Sequence, residues 1–165
     1  MPLKIAVVFC AMLLAGKSYC QRPDSVFLSK KIKRAEKKLD LATVEPLLFF
    51  KIENMGRVKG RAVCLYARDG LLQYVFIDST GTVEFSYPRE SDEETPGFAA
   101  DTSGRESGIS FANKSASYRV YERAKTIGVE ATIGGILYEQ IGILSSKKGS
   151  IRDILKAKLD NVIIR

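Results

Sequence analysis

Histidine and tryptophan are both absent from this 165-residue chain, and cysteine occurs only three times. Without an imidazole, neither Ser-His-Asp nor Cys-His catalysis has its base, and His-ligated metal sites have no ligand. Cys10, Cys20 and Cys64 are too few for a four-thiolate zinc site or a disulfide-stapled scaffold. The sequence has no glycine-rich dinucleotide fingerprint, no internal repeat and no Pro- or Ser-rich linker. These absences point away from a metal or a cofactor and towards one domain.

One short stretch, AMLLAGKSYC at residues 11 to 20, supports two incompatible readings. Ala11, Gly16, Lys17 and Ser18 fit a relaxed phosphate-binding loop, and the apolar run LLQYVFID at 71 to 78 ends in Asp78, where such proteins carry a magnesium-linked carboxylate. A phosphate cradle presents bare backbone N–H groups, however, and Leu13 and Leu14 fill that space with bulky side chains. The alternative is a signal peptide: Lys4 opens a short basic start, residues 5 to 15 are uninterrupted apolar, and polarity then rises. The apolar run would rise about 16 Å as a helix, too short for a hydrocarbon core of about 30 Å. Small residues favour cleavage after Ser18 or after Cys20. The expectation is therefore a signal at 1–20 and one domain at 21–165, with a nucleotide binder as the remote alternative.

Loss of Lys4 and Lys17 would lower the formal charge from +7 to +5, leaving a basic protein. Cleavage after Ser18 would leave Cys20 able to pair with Cys64; cleavage after Cys20 would leave Cys64 alone. The apolar surroundings of Cys64 favour a buried, unpaired thiol.

Asp24 is placed to cap an amphipathic helix whose stripe is Leu28, Ile32, Ala35, Leu39 and Ala42. Its other faces carry Lys30, Lys31, Lys33, Arg34, Lys37 and Lys38. After Pro46, the run Leu47 to Phe50 reads either as a buried strand or as packing beneath a sheet. From residue 61 the period becomes two. Runs at 61–67, 72–78 and 82–87, separated by Asp69-Gly70 and Gly81, predict an antiparallel meander. Tyr74 and Phe76 should share one face, and Val75 and Ile77 the other. Such a meander makes Asp78 a turn residue, not a metal ligand.

Residues 88–108 break the pattern and carry Glu90, Asp92, Glu93 and Glu94. Repelling charges and scattered glycines predict a mobile acidic loop, without the ordered ligand alternation of a calcium loop. Strand signals return at 109–122, 128–133 and 136–144, with Gly134-Gly135 as a hairpin turn. Asn113-Lys114-Ser115 is a glycosylation sequon. Ser150 and Asp153 cap a closing helix with a stripe of Ile151, Ile154, Leu155, Leu159, Val162 and Ile163. The fold class expected is α+β: an antiparallel sheet of about six strands packed by a basic N-terminal helix and a C-terminal helix.

Asp78, Glu84, Glu122, Glu130 and Glu139 lie on or beside these strands, but no spacing brings two carboxylates together for glycoside hydrolysis. The expectation is a non-enzymatic secreted or periplasmic module, an inhibitor or immunity-type protein that binds a protein partner. Tyr118, Arg119 and Tyr121, or the acidic group Glu90, Asp92, Glu93 and Glu94, would make the contact. The alternative partner is an acidic polymer or an anionic membrane surface, held by Lys30, Lys31, Lys33, Arg34, Lys37 and Lys38.

Overall fold

The computed structural model describes Leu39 and residues 43–53, 60–89, 97–102 and 104–165, all of them within the unit Ala35–Arg165. These form a mainly β structure of two sheets with one short helix.

The first sheet contains β1 (Pro46–Lys51), β2 (Ala62–Arg68), β3 (Leu71–Ile77), β4 (Val83–Tyr87) and the short β10 (Lys148–Gly149), in the order β10-β1-β2-β3-β4. The predicted meander is β2 to β4, antiparallel throughout. Asp69 and Gly70 both take positive φ, 51° and 77°, so the two-residue turn has the twist that a tight hairpin needs. Asp78 closes the next turn: its Oδ1 accepts from the Thr80 and Thr82 amides at 2.8 and 2.9 Å. Antiparallel pairing on both sides of β3 is not the parallel sheet of a phosphate-loop fold. The loop residues 11 to 18 lie outside the described residues.

The second sheet contains β5 (Phe98–Asp101), β6 (Glu106–Asn113), β7 (Ala116–Arg123), β8 (Thr126–Ile133), β9 (Ile136–Ile141) and β11 (Val162–Ile164), in the order β11-β5-β6-β7-β8-β9. Three expectations need correction. The run 109–122 is a hairpin, not one strand, because Lys114 adopts φ 57° and turns the chain at the sequon. The segment 88–108 contains β5 and the start of β6, so it is not a continuous loop; Phe98 and Ala100 are buried and anchor it. The closing helix, α1, spans only Ile151–Lys156. Ser150 caps it as expected, accepting from the Asp153 amide, but Lys158 takes φ 50° and the β-branched Val162 and Ile163 pair in parallel with β5.

A single core lies between the sheets. Leu48, Phe50, Val63, Leu65, Leu72 and Tyr74 from the first meet Phe98, Ile109, Phe111, Val120, Ile127 and Val129 from the second, with Ile151 and Ile154 of α1. Phe111 is its aromatic hub, with ring centroids 4.4 Å from Tyr87 and 5.0 Å from both Tyr74 and Tyr118. Offset and edge contacts of this kind add about 0.5–1.5 kcal/mol each beyond area burial. The first sheet is apolar on its other face as well, as the β3 pattern predicts: Ala62, Cys64, Val75 and Ile77 are buried there, with Leu39 packed against them. The Leu39 amide donates to the Gly81 carbonyl at 3.1 Å. Residues 28–38 of the expected basic helix, with Lys30, Lys31, Lys33, Arg34, Lys37 and Lys38, lie outside the described residues. The described residues thus form a mainly β fold in which one helix of under two turns helps to fill the core.

Candidate protein-binding site

On the second sheet, alternation and register decide which side chains meet. The pairs Arg119↔Glu130 and Tyr121↔Gly128 between β7 and β8, and Glu130↔Glu139 between β8 and β9, put Arg119, Tyr121, Glu130 and Glu139 on the outer face. Tyr118 and Val120 face the core instead. Of the predicted group Tyr118, Arg119 and Tyr121, the fold therefore brings only the last two to one face. Tyr118 stacks on Phe85 at 5.1 Å and on Phe111, and burial raises the pKa of its phenol.

The outer face is a connected charge lattice. Arg119 bonds Asp101 at 3.2 Å and also Glu106; Arg123 bonds Glu106 at 2.7 Å and reaches Glu130 at 3.4 Å and Glu139 at 3.8 Å. Hydrogen bonds from Arg119 and Arg123 hold the Glu106 carboxyl below its ordinary pKa. Tyr121 is fully buried although it is on the outer face. Its ring lies across Gly128, where an added Cβ would sit 2.5 Å from the phenol oxygen. The Arg123 guanidinium covers the ring at 4.2 Å, a cation–π contact. The hydroxyl donates to Glu139 at 2.6 Å. Burial, then that carboxylate, raise the Tyr121 pKa. Arg119 and Tyr121 are thus engaged within the sheet, and this lattice organises β7 to β9.

Sequence reasoning missed the neighbouring feature. At the Gly134-Gly135 turn, where φ is 58° and 80°, Ile133, Ile136 and Leu137 stand 40%, 58% and 59% exposed. Ile133 and Ile136 stand opposite each other on the inner face and Leu137 on the outer face, so the hairpin tip is apolar on both sides, and exposed apolar groups of this kind can mark contact surfaces. The available signal was the unbroken apolar pair Ile136-Leu137 directly after the turn, where alternation fails.

The remaining strand carboxylates are placed apart. Glu84 pairs with Arg61 at 3.0 Å. Glu122 faces inward, pairs with Lys147, and accepts from the Ile151 amide at 2.6 Å, anchoring the start of α1. Glu90, Asp92, Glu93 and Glu94 lie outside the described residues. Among the described residues, no three metal-ligating side chains converge and no helix is long and apolar enough to cross a membrane. A recess of about 370 Å³ beside β11 is lined by Phe98, Phe111, Ser117, Ile163 and Arg165, among others. Cys64 is buried with a free thiol, and burial pushes its pKa up to about 12; Cys20 lies outside the described residues. No protein-family model, no curated protein and no solved structure matches this chain.

Proposed function

We propose that the chain is an exported, non-enzymatic binding module that acts on a protein partner, with the β8–β9 hairpin as its contact. The observation that carries this reading is the exposure of Ile133, Ile136 and Leu137 at a single hairpin tip. Water-exposed aliphatics in a group gain free energy when a partner covers them, about 25 cal/mol per Å² of apolar surface. The charge lattice behind them fixes the strands that carry the tip, so the surface is preorganised and little ordering entropy is lost on binding. Export rests on the basic start, apolar run and small-residue boundary within residues 1 to 20.

A photo-crosslinking side chain at Ile136, with a control at the exposed Lys125 in the β7–β8 turn at the opposite sheet end, tests the contact. The reading expects a stoichiometric protein adduct from Ile136 and none from Lys125. Equal labelling from both positions, or none, would refute it. Mass spectrometry of the exported N-terminus tests the compartment, since an intact Met1 in a cytosolic fraction is incompatible with export.

A further inference from the structure

The strand that carries the apolar tip also ends its sheet. β9 pairs with β8 on one side, and no strand of the described residues lies along its other side. Backbone direction alternates along it. The Gly142 amide donates to Ile127 of β8, whereas the Ile141 carbonyl accepts from Glu53, on the far side. By that alternation, Leu137 and Glu139 direct their N–H and C=O groups outward at the open edge. An edge left unpaired among the described residues is a template for one more strand. The pairing of Ile141 with Glu53 sets the lower limit, so the open stretch accepts about four residues, given one pairing per residue along a strand.

The side chains along this edge specify what kind of strand fits. On the inner face an incoming strand would meet Ile136 and Tyr138; on the outer face it would meet Leu137 and Glu139. Glu130 and Glu139 stand directly opposite each other, an unfavourable like-charge pair. Their ion pairs are with one guanidinium, that of Arg123, at 3.4 and 3.8 Å, while Arg123 bonds Glu106 more closely at 2.7 Å. Negative charge beside the open edge is therefore incompletely compensated. A Lys or Arg on the outer face of an added strand could lay its stem on Leu137 and its charge against Glu139.

We infer that the open edge of β9 at Leu137 and Glu139 accepts, by strand addition, an extended segment of a protein partner in which apolar and basic residues alternate. This rests on the reading of the hairpin as a contact surface and names the chemistry of what binds there. The apolar residues cover Ile136 and Tyr138, the basic residues meet Glu139 and Glu130, and backbone hydrogen bonds to Leu137 and Glu139 fix the register.

The test uses the full chain, isotope-labelled, with a capped hexapeptide alternating Val and Lys, and the same peptide with Glu in place of Lys. The expected result is slowed amide exchange at Leu137 and Glu139 with the Lys peptide, at least tenfold weaker binding of the Glu peptide, and weakening with added salt. Leu137→Pro removes an outward N–H without removing a bond to β8 and should weaken the Lys peptide at least tenfold. Leu137→Lys, which keeps the N–H but adds a repelling charge, should also weaken it should the proline variant misfold. Equal binding of both peptides, protection away from β9, or a self-associated chain that Leu137→Lys dissociates would overturn the inference. If the peptides fail while Ile136 still crosslinks a partner, strand addition is wrong and the contact reading stands. If the peptide protects β9 while Ile136 captures no partner, the contact reading fails instead.

Discussion

Asn161 holds both backbone groups of Leu72 through its side chain: its Oδ1 accepts from the Leu72 amide at 2.7 Å and its Nδ2 donates to the Leu72 carbonyl at 3.1 Å. The carboxamide takes the place of a strand residue next to β3. One residue's backbone completes the link, since the Phe98 amide donates to the Asn161 carbonyl at 2.7 Å. The first sheet is thereby joined to β5 of the second through a single, nearly buried side chain, 4% exposed.

Asn161→Ala removes both bonds and leaves the Leu72 N–H and C=O buried without these partners. An unsatisfied buried group costs about 1–3 kcal/mol, so the expected loss is about 2–4 kcal/mol. Urea denaturation followed by intrinsic tyrosine fluorescence reads it; a change below about 0.5 kcal/mol, the ordinary range for surface substitutions, would mean that the pairing is not structural.

Gly128→Ala places a methyl 2.5 Å from the Tyr121 oxygen and 2.7 Å from the Gln140 carbonyl. Tyr121 must then leave its seat, and overpacking of this kind costs about 1–3 kcal/mol. Tyr121→Phe keeps the ring over Gly128 and loses only the bond to Glu139, so it should cost less, about 0.5–2 kcal/mol. The order of the two thermal midpoints is the measurement: Gly128→Ala below Tyr121→Phe.

Glu106 gives a pH dependence with a definite sign. Its folded pKa is depressed by bonds from Arg119 and Arg123, so the stability it contributes is fully present above its unfolded value, near 4.5. That contribution is lost as pH falls through the lower folded value. Glu106→Gln should flatten the acid limb of a stability–pH curve below about pH 4.5. The same substitution removes one charge partner, so the comparison is of slopes rather than of absolute stability.

Cys64 should be inert while the protein is folded. With the thiol pKa near 12, the thiolate fraction at pH 8 is about 10⁻⁴, and the thiolate is the nucleophile. Peptide mapping after iodoacetamide treatment should find Cys64 unmodified in native protein and modified in urea. Rapid native labelling would contradict the burial of this face.

Much of the first sheet was legible because β2 to β4 alternate cleanly and their turns carry Asp69-Gly70 and Gly81. The second sheet was harder. The β6–β7 turn contains no glycine, and Lys114 bears the positive φ instead, so two strands read as one. Val162 and Ile163 happen to extend the three-and-four spacing of the α1 stripe, yet their branched side chains and the pairing with Phe98 and Ala99 make them strand. Strand alternation puts Tyr121 on the outer face, but it does not report Gly128 on the next strand, which gives the ring room to lie flat. Exposure of the inward-facing Ile133 and Ile136 depends on what lies opposite them across the core, a tertiary fact that no local pattern contains.

The short β10 pairs with β1, and Asn161 with Leu72 across 89 positions. The first sheet is therefore not a contiguous quarter of the chain. A ribosome that has released residue 89 has delivered all four of its longer strands, but neither the piece that covers the flank of β1 nor the carboxamide that caps β3. The chain should not divide into two independently folding fragments between β4 and β5, and a nascent chain paused there would present an unfinished sheet to chaperones.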